Sequence, residues 1–245
     1  MRLPEPFFPI GEHLAVDLPG ARAVFTTRRG GASRGAYASL NLGRWTDDDP
    51  AAVERNRDSL AAWLGVRPAY GRQVHGSKVA TVSQRPDPSV LPVDADGQAT
   101  TMSDGVAPMV LTADCLPVAV AADGAVAMLH AGWRGLAAGI LAEGVRALRD
   151  LGAGGPLTAA IGPGAGACCY EVGEEVHEAF AEHVGARRGR NIDLKAVARA
   201  HLERAGVERV HDAQLCTICA GEALFFSHRR DHGVTGRQAG IAWLS

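Results

Sequence analysis

Three short apolar runs, at residues 109–111, 118–121 and 125–129, constrain the fold most. Polar or glycine breaks bound each run, which is the signature of a buried strand. Residues 21–27 (ARAVFTT), 157–161 and 240–244 read as further strands. Helical spacing predicts helices over 49–65, with Pro50 in the first turn and Gly65 as a stop, and over 135–148, 173–183 and 193–205. Strands and helices mix without the strict alternation of a doubly wound sheet. The expected class is therefore α+β, with a mixed β-sheet core flanked by helices. At 245 residues the chain is near the upper end of what one core serves, so one domain over 1–245 is expected. The Pro- and Asp-rich stretch 83–97 reads as a surface loop.

Charge narrows the range of partners. Against 25 Lys+Arg stand 27 Asp+Glu, a formal net charge of −2. That balance gives no electrostatic reason to expect nucleic acid or an anionic membrane. No apolar stretch approaches the roughly 18 residues a membrane span needs, and the N-terminal segment lacks a secretory pattern. The expected location is the cytoplasm. Five cysteines (Cys115, Cys168, Cys169, Cys216 and Cys219) are an odd number, which in a reducing compartment argues for free thiols.

Chemistry concentrates in three segments, GRQVHG (71–76), TADCLP (112–117) and HAGWRG (130–135). Each sets one His or Cys at the edge of an apolar run, among small residues that allow close approach. Cys115 lies between two of the strand runs and His130 directly follows the third, so their ends can meet. His75 must arrive from another element. Two imidazoles and one thiolate would make a three-ligand metal set with the fourth position open, as a catalytic zinc requires. The ordinary alternative is a core histidine and a small buried thiol, and spacing alone does not separate the two, because no compact template such as HExxH is present.

The chain resembles, over almost its whole length, the bacterial family described as laccase-like multicopper polyphenol oxidases, whose members are also called purine nucleoside phosphorylases or peptidoglycan editing factors. The matching stretches are TTRRGGASRGAYASLNLG (26–43), Asn56-Arg57, GRQVHG, VDADG (93–97), TADCLP, HAGWRG, IGPGAGACCYEVGEEV (161–176) and FFSHRRDHGVTGRQAGIAWL (225–244). The resemblance implies that His75, Cys115 and His130 are the metal-binding and catalytic residues, with zinc as cofactor and copper as an alternative occupant. It implies phosphorolysis of adenosine, inosine, guanosine and S-methyl-5'-thioadenosine, and hydrolytic deamination of adenosine. Purine nucleosides and phosphate would be the partners of a monomer or small homo-oligomer. It also implies a fold similar to that of a toxin deamidase with a Cys–His pair. The laccase label fits the residues poorly. Nine histidines, none of them in an HxH pair, cannot build a multicopper centre.

Within the matched motifs, Arg72 and Arg134 flank ligand positions and are the favoured contacts for phosphate or purine, with Arg57 and Asn41 as further candidates. Asp114, beside Cys115, is a candidate to orient an imidazole or move a proton. Cys216-x-x-Cys219 stands without a second CxxC pair and reads as buried thiols, and Cys168 and Cys169 take no role. Two other readings stay open: Cys115 as the nucleophile of a metal-free hydrolase that edits a muramyl precursor, and a non-catalytic binding module with a fourth protein ligand on the metal.

Overall fold

The computed structural model describes residues 3–84, 87, 92–221 and 223–245. In chain order they form β1 (Phe8–Ile10), β2 (His13–Leu18), β3 (Ala21–Phe25), α1 (Pro50–Leu64), β4 (Arg67–Ala69), β5 (Val79–Val82), β6 (Gly97–Thr100), β7 (Val106–Thr112), β8 (Leu116–Asp123) and β9 (Ala125–Ala131). There follow α2 (Trp133–Ala137), α3 (Ile140–Asp150), β10 (Gly154–Ile161), α4 (Glu174–Ala179), β11 (Arg187–Arg188), β12 (Asn191–Ile192), α5 (Leu194–Arg204), β13 (Val207–Asp212) and β14 (Gln238–Leu244).

The fold is α+β, built on two mixed six-stranded sheets where the sequence suggested one. The first runs β1-β2-β3-β14-β7-β4 and the second β13-β10-β8-β9-β6-β5. Most pairs are antiparallel; β4 with β7, β5 with β6 and β10 with β13 are parallel. The apolar runs become β7, β8 and β9, and alternation along β8 explains why they carry so few polar residues. Leu116, Val118, Val120 and Ala122 pack with Leu136, Ile140, Leu141 and Leu148 of the helical layer. Ala119 and Ala121 face the other way, onto Leu14, Val16 and Phe25 of the first sheet. A strand covered on both faces has no polar face to show.

Helix α1 has the expected ends. The Asp49 side chain accepts from the Ala51 N–H, and Gly65 closes the helix in the left-handed conformation at φ +67°. The single helix expected over 135–148 is instead two, because Gly139 at φ +85° ends one and starts the other. The helix expected over 173–183 stops at Ala179. Of the loop expected over 83–97, residues 85, 86 and 88–91 lie outside the described residues, while Asp94 bridges to Arg72 and Gly97 begins β6. No helix among the described residues is long and apolar enough to cross a membrane.

Candidate metal centre

Strand register brings Cys115 and His130 together. In the β8–β9 hairpin Leu116 stands opposite Ala131 and Pro117 opposite His130, so Cys115 lies where β9 ends. On the other side of β9, Gly97 of β6 faces Leu129. Asp96 therefore stands beside His130, and its carbonyl accepts the His130 N–H at 2.7 Å.

His75 sits on a turn that no strand places, and the side chain of Asp96 holds that turn. Its carboxylate accepts the backbone N–H groups of Val74 (3.1 Å), His75 (2.9 Å) and Gly76 (2.8 Å). The Gln73 amide adds a second tie, donating to the Leu111 carbonyl and accepting the Leu111 N–H, each at 2.8 Å. These bonds support a costly backbone: His75 has φ +59° and Asp114 φ +98°, the left-handed region that non-glycine residues seldom occupy.

Asp96 also orients the second imidazole. It is fully buried, and its Oδ1 lies 2.8 Å from His130 Nδ1. A carboxylate can only accept, so Nδ1 carries the proton and Nε2 is left as the ligand atom. The ligand atoms of His75, Cys115 and His130 lie within 4.8 Å of one another, with Cys115 Sγ 3.9 Å from His75 Nε2. Around one zinc, N and S donors sit roughly 3.3–3.8 Å apart, so the trio needs only a small contraction. The donor set fits a zinc ion, and among the described residues no fourth His, Cys, Asp or Glu joins it. Gly132 makes room: a Cβ there would stand 2.9 Å from Cys115 Sγ and 3.2 Å from His75 Cδ2.

Electrostatics favour a thiolate. Burial pushes the Cys115 thiol up, but the charge on His130 and hydrogen bonds from both imidazoles outweigh it and bring it down to about 6. Burial likewise pushes His130 down, and the Cys115 charge with Asp96 carries it up to about 9. Each holds the other charged: the thiolate is the form a soft cation or an electrophile meets most readily, while the proton on His130 Nε2 must leave before that nitrogen can ligate a metal. For Asp96, burial opposes ionisation but the hydrogen bonds from His130, Gly76 and Val74 win, holding its carboxyl below the usual range.

The trio lies in a cleft of about 430 Å³, in the range of small-molecule sites. Arg134, Arg229 and Arg237 line it, as do Trp133 and Tyr170. Arg134 stacks on Trp133 at 4.3 Å and Arg229 on Tyr170 at 5.1 Å. Thr112 also lines the cleft, but its Oγ1 is shut off from solvent and has no hydrogen-bond partner among the described residues.

The residues expected to contact substrate divide. Arg134 and Asp114 line the cleft. Asp114 does not orient an imidazole, because its oxygens accept the Thr217 hydroxyl and the Arg229 N–H, both at 2.7 Å; Asp96 has that task. Arg72, Asn41 and Arg57 do not reach the cleft. Arg72 pairs with Asp94 in solvent. Asn41, fully buried, donates to Thr46 and Asp48 and accepts the Gly43 and Arg237 N–H groups. Arg57 donates to the Leu42 carbonyl and lies over Tyr70, and burial brings its pKa down to about 10. Asp96, Arg229 and Arg237 were missed. The VDADG stretch contained the signal for Asp96, but only the β6 register separates it from Asp94.

A family model described as multi-copper polyphenol oxidoreductase laccase matches residues 22–245. The chain is 44% identical to a Pseudomonas aeruginosa protein named purine nucleoside phosphorylase, over 91% of this chain and 93% of the other. It is 40% identical to an Escherichia coli protein named purine nucleoside phosphorylase YfiH, over 92% and 94%. Among solved structures, YlmD from Geobacillus stearothermophilus superposes with a TM-score of 0.89 at 35% identity, covering 98% of this chain and 99% of that one. A Neisseria meningitidis protein gives 0.85 at 38% identity, covering 96% and 99%.

Proposed function

The chain belongs to the laccase-like multi-copper polyphenol oxidoreductase family, and from that premise and the cleft geometry we propose that it is a cytoplasmic, zinc-dependent purine nucleoside phosphorylase. Its substrates are adenosine, inosine, guanosine and S-methyl-5'-thioadenosine, and the same centre deaminates adenosine. The observation that carries the reading is the convergence of His75, Cys115 and His130 beneath a wall of three arginines. Relatives named for purine nucleoside phosphorolysis support it.

His75, Cys115 and His130 are the metal ligands. Bound there, zinc supplies a Lewis acid with one position free for substrate or water. The remaining work falls to the protein. Arg134, Arg229 and Arg237 hold phosphate against the ribose and offset the charge that develops as the purine departs. Trp133 and Tyr170 brace Arg134 and Arg229 by stacking with them. Asp96 keeps His130 in one tautomer throughout.

The decisive test joins elemental analysis with a phosphate-dependent assay on inosine and adenosine. About one zinc at this centre, with turnover lost on chelation and restored by zinc, is expected. Cys115→Ser should abolish phosphorolysis and deamination together, since both use one ion. If deamination survives alone, the single-centre reading fails.

A second reading has an observation of its own. Asp96, His130 and Cys115 form the sequence of orienting carboxylate, imidazole and lowered-pKa thiol found in cysteine hydrolases. Full activity of metal-free protein on an amide, such as a wrongly added amino acid in a muramyl precursor, would favour it.

A further inference from the structure

The other four cysteines form a second group. Cys168 and Cys169 follow the turn after β10, and Cys216 and Cys219 lie on the loop after β13, yet their sulfur atoms all lie within 4.8 Å of one another. Cys168 Sγ and Cys219 Sγ are 3.5 Å apart. With zinc–sulfur bonds of about 2.3 Å, the edge of a tetrathiolate tetrahedron is about 3.8 Å. The 3.5 Å pair and the 4.8 Å limit on the rest are compatible with that edge.

The backbone prepares one of these sulfurs as a ligand. Gly166 N–H donates to Cys216 Sγ at 3.2 Å. That donor comes from the facing loop, and an N–H bond to sulfur stabilises thiolate over thiol. The two loops are tied independently of the sulfurs: Gly164 N–H donates to the Leu215 carbonyl, and Thr217 N–H donates to the Gly164 carbonyl. The hollow beside Cys168 and Cys216 is lined by Lys195 and Arg199 together with Asp193 and Asp212, and Lys195 pairs with Asp212 at 3.1 Å. Cys219 is exposed and Cys216 half-buried, so the expectation of buried thiols for that pair is corrected, and with Cys168 exposed as well the ordinary reason to find thiols clustered in a core does not apply.

We propose that Cys168, Cys169, Cys216 and Cys219 bind a second zinc ion, a closed four-thiolate site that clamps the loop after β10 to the loop after β13. Its role is structural, since four protein ligands leave no open position. The clamp lies beside the cleft wall. Tyr170 follows Cys169 directly, and Thr217, next to Cys216, donates to Asp114 beside Cys115.

The test is zinc per chain by elemental analysis, on protein purified under reducing conditions. Wild type should hold about two, Cys115→Ser about one, and the Cys216→Ser/Cys219→Ser double variant about one. Cobalt exchanged into Cys115→Ser should show the strong visible bands and sulfur-to-cobalt charge transfer of a tetrathiolate site. Folded Cys115→Ser without zinc overturns the proposal, and so does iron in place of zinc or a Cys168–Cys219 disulfide in its mass spectrum. The Cys115→Ser measurement stands even if the double variant does not fold. The two centres are also separable: one zinc in wild type that survives in Cys115→Ser refutes the catalytic centre and keeps the clamp.

Discussion

Replacing Asp96 by Asn tests how the centre is assembled. The substitution keeps the volume and removes the charge, yet neither orientation of the new amide can satisfy the four donors that Asp96 accepts. With Nδ2 toward Val74 and Gly76, it faces two backbone N–H groups that now lack an acceptor. With Nδ2 toward His75 and His130, it faces the His75 N–H and forces the His130 proton onto Nε2, the ligand atom. Leaving a partly buried donor unpaired costs about 1–3 kcal/mol, so the metal-free variant should lose about 2–4 kcal/mol. That is a large share of the roughly 5–15 kcal/mol that hold a domain folded. Zinc affinity should fall by about 10- to 100-fold, as for other losses of a carboxylate behind a ligating imidazole.

Urea unfolding with chelator present reads the first quantity, and zinc titration against a competing chelator reads the second. Asp94→Asn is the control, two residues away: its pair with Arg72 is exposed, and such pairs contribute little, so both measurements should match wild type. The dependence on pH has a definite sign. Asp96 is held below the usual carboxylate range in the fold, so its contribution is present above about pH 4 and is lost as pH falls through its folded value. Wild type should lose its advantage over the variant in that acid range. If Asp96→Asn retains wild-type stability and zinc affinity, Asp96 does not organise the centre.

Other substitutions probe single contacts. Gly132→Ala should keep the fold but lose the zinc held by His75, Cys115 and His130, because its Cβ would stand 2.9 Å from Cys115 Sγ; metal content and circular dichroism separate the two effects. Arg134→Met should raise the KM for phosphate by about tenfold or more, the scale of one lost charge-assisted bond, while Arg72→Met leaves it unchanged. Asn41→Ala should lower stability by about 2–4 kcal/mol through its buried hydrogen bonds, with little effect on KM. In metal-free protein, alkylation of Cys115 followed by peptide mass spectrometry should rise through about pH 6. His130→Ala should shift that rise upward, because the imidazolium that favours the thiolate is gone.

How much could be read from sequence depended on whether a residue announces its role locally. The buried runs of β7, β8 and β9 were legible because strands covered on both faces contain little but apolar side chains. Strand β6, GQAT, was not: Gln98 and Thr100 are buried polar residues, and nothing in the order of those residues signals a strand. The break at Gly139 was hidden as well, since glycine inside a periodic segment is often tolerated. Cys115 and His130 could be paired by hairpin reasoning. His75 could be named as a candidate but not placed without the family resemblance, because the turn carrying it is shaped by Asp96, distant in sequence. Arg72 and Arg134 looked equivalent as neighbours of ligand positions, and only the cleft wall tells them apart.

The same logic accounts for where the strain lies. His75 and Asp114 both occupy left-handed backbone that their residue types disfavour, and each is held by contacts from distant segments: His75 by Asp96, and Asp114 by Thr217 and Arg229. Asp114 thus spends its side chain fixing the turn that presents Cys115, and the loop it is fixed to is the one carrying Cys216 and Cys219. The trio at the centre is therefore only as rigid as loops far from it in sequence. Relaxing Asp114 by Asp114→Gly would relieve the backbone cost but release Thr217 and the Arg229 N–H together. If precise placement of Cys115 matters more than that cost, the glycine variant should fall in zinc affinity, and a wild-type affinity would show that the turn needs no such tether.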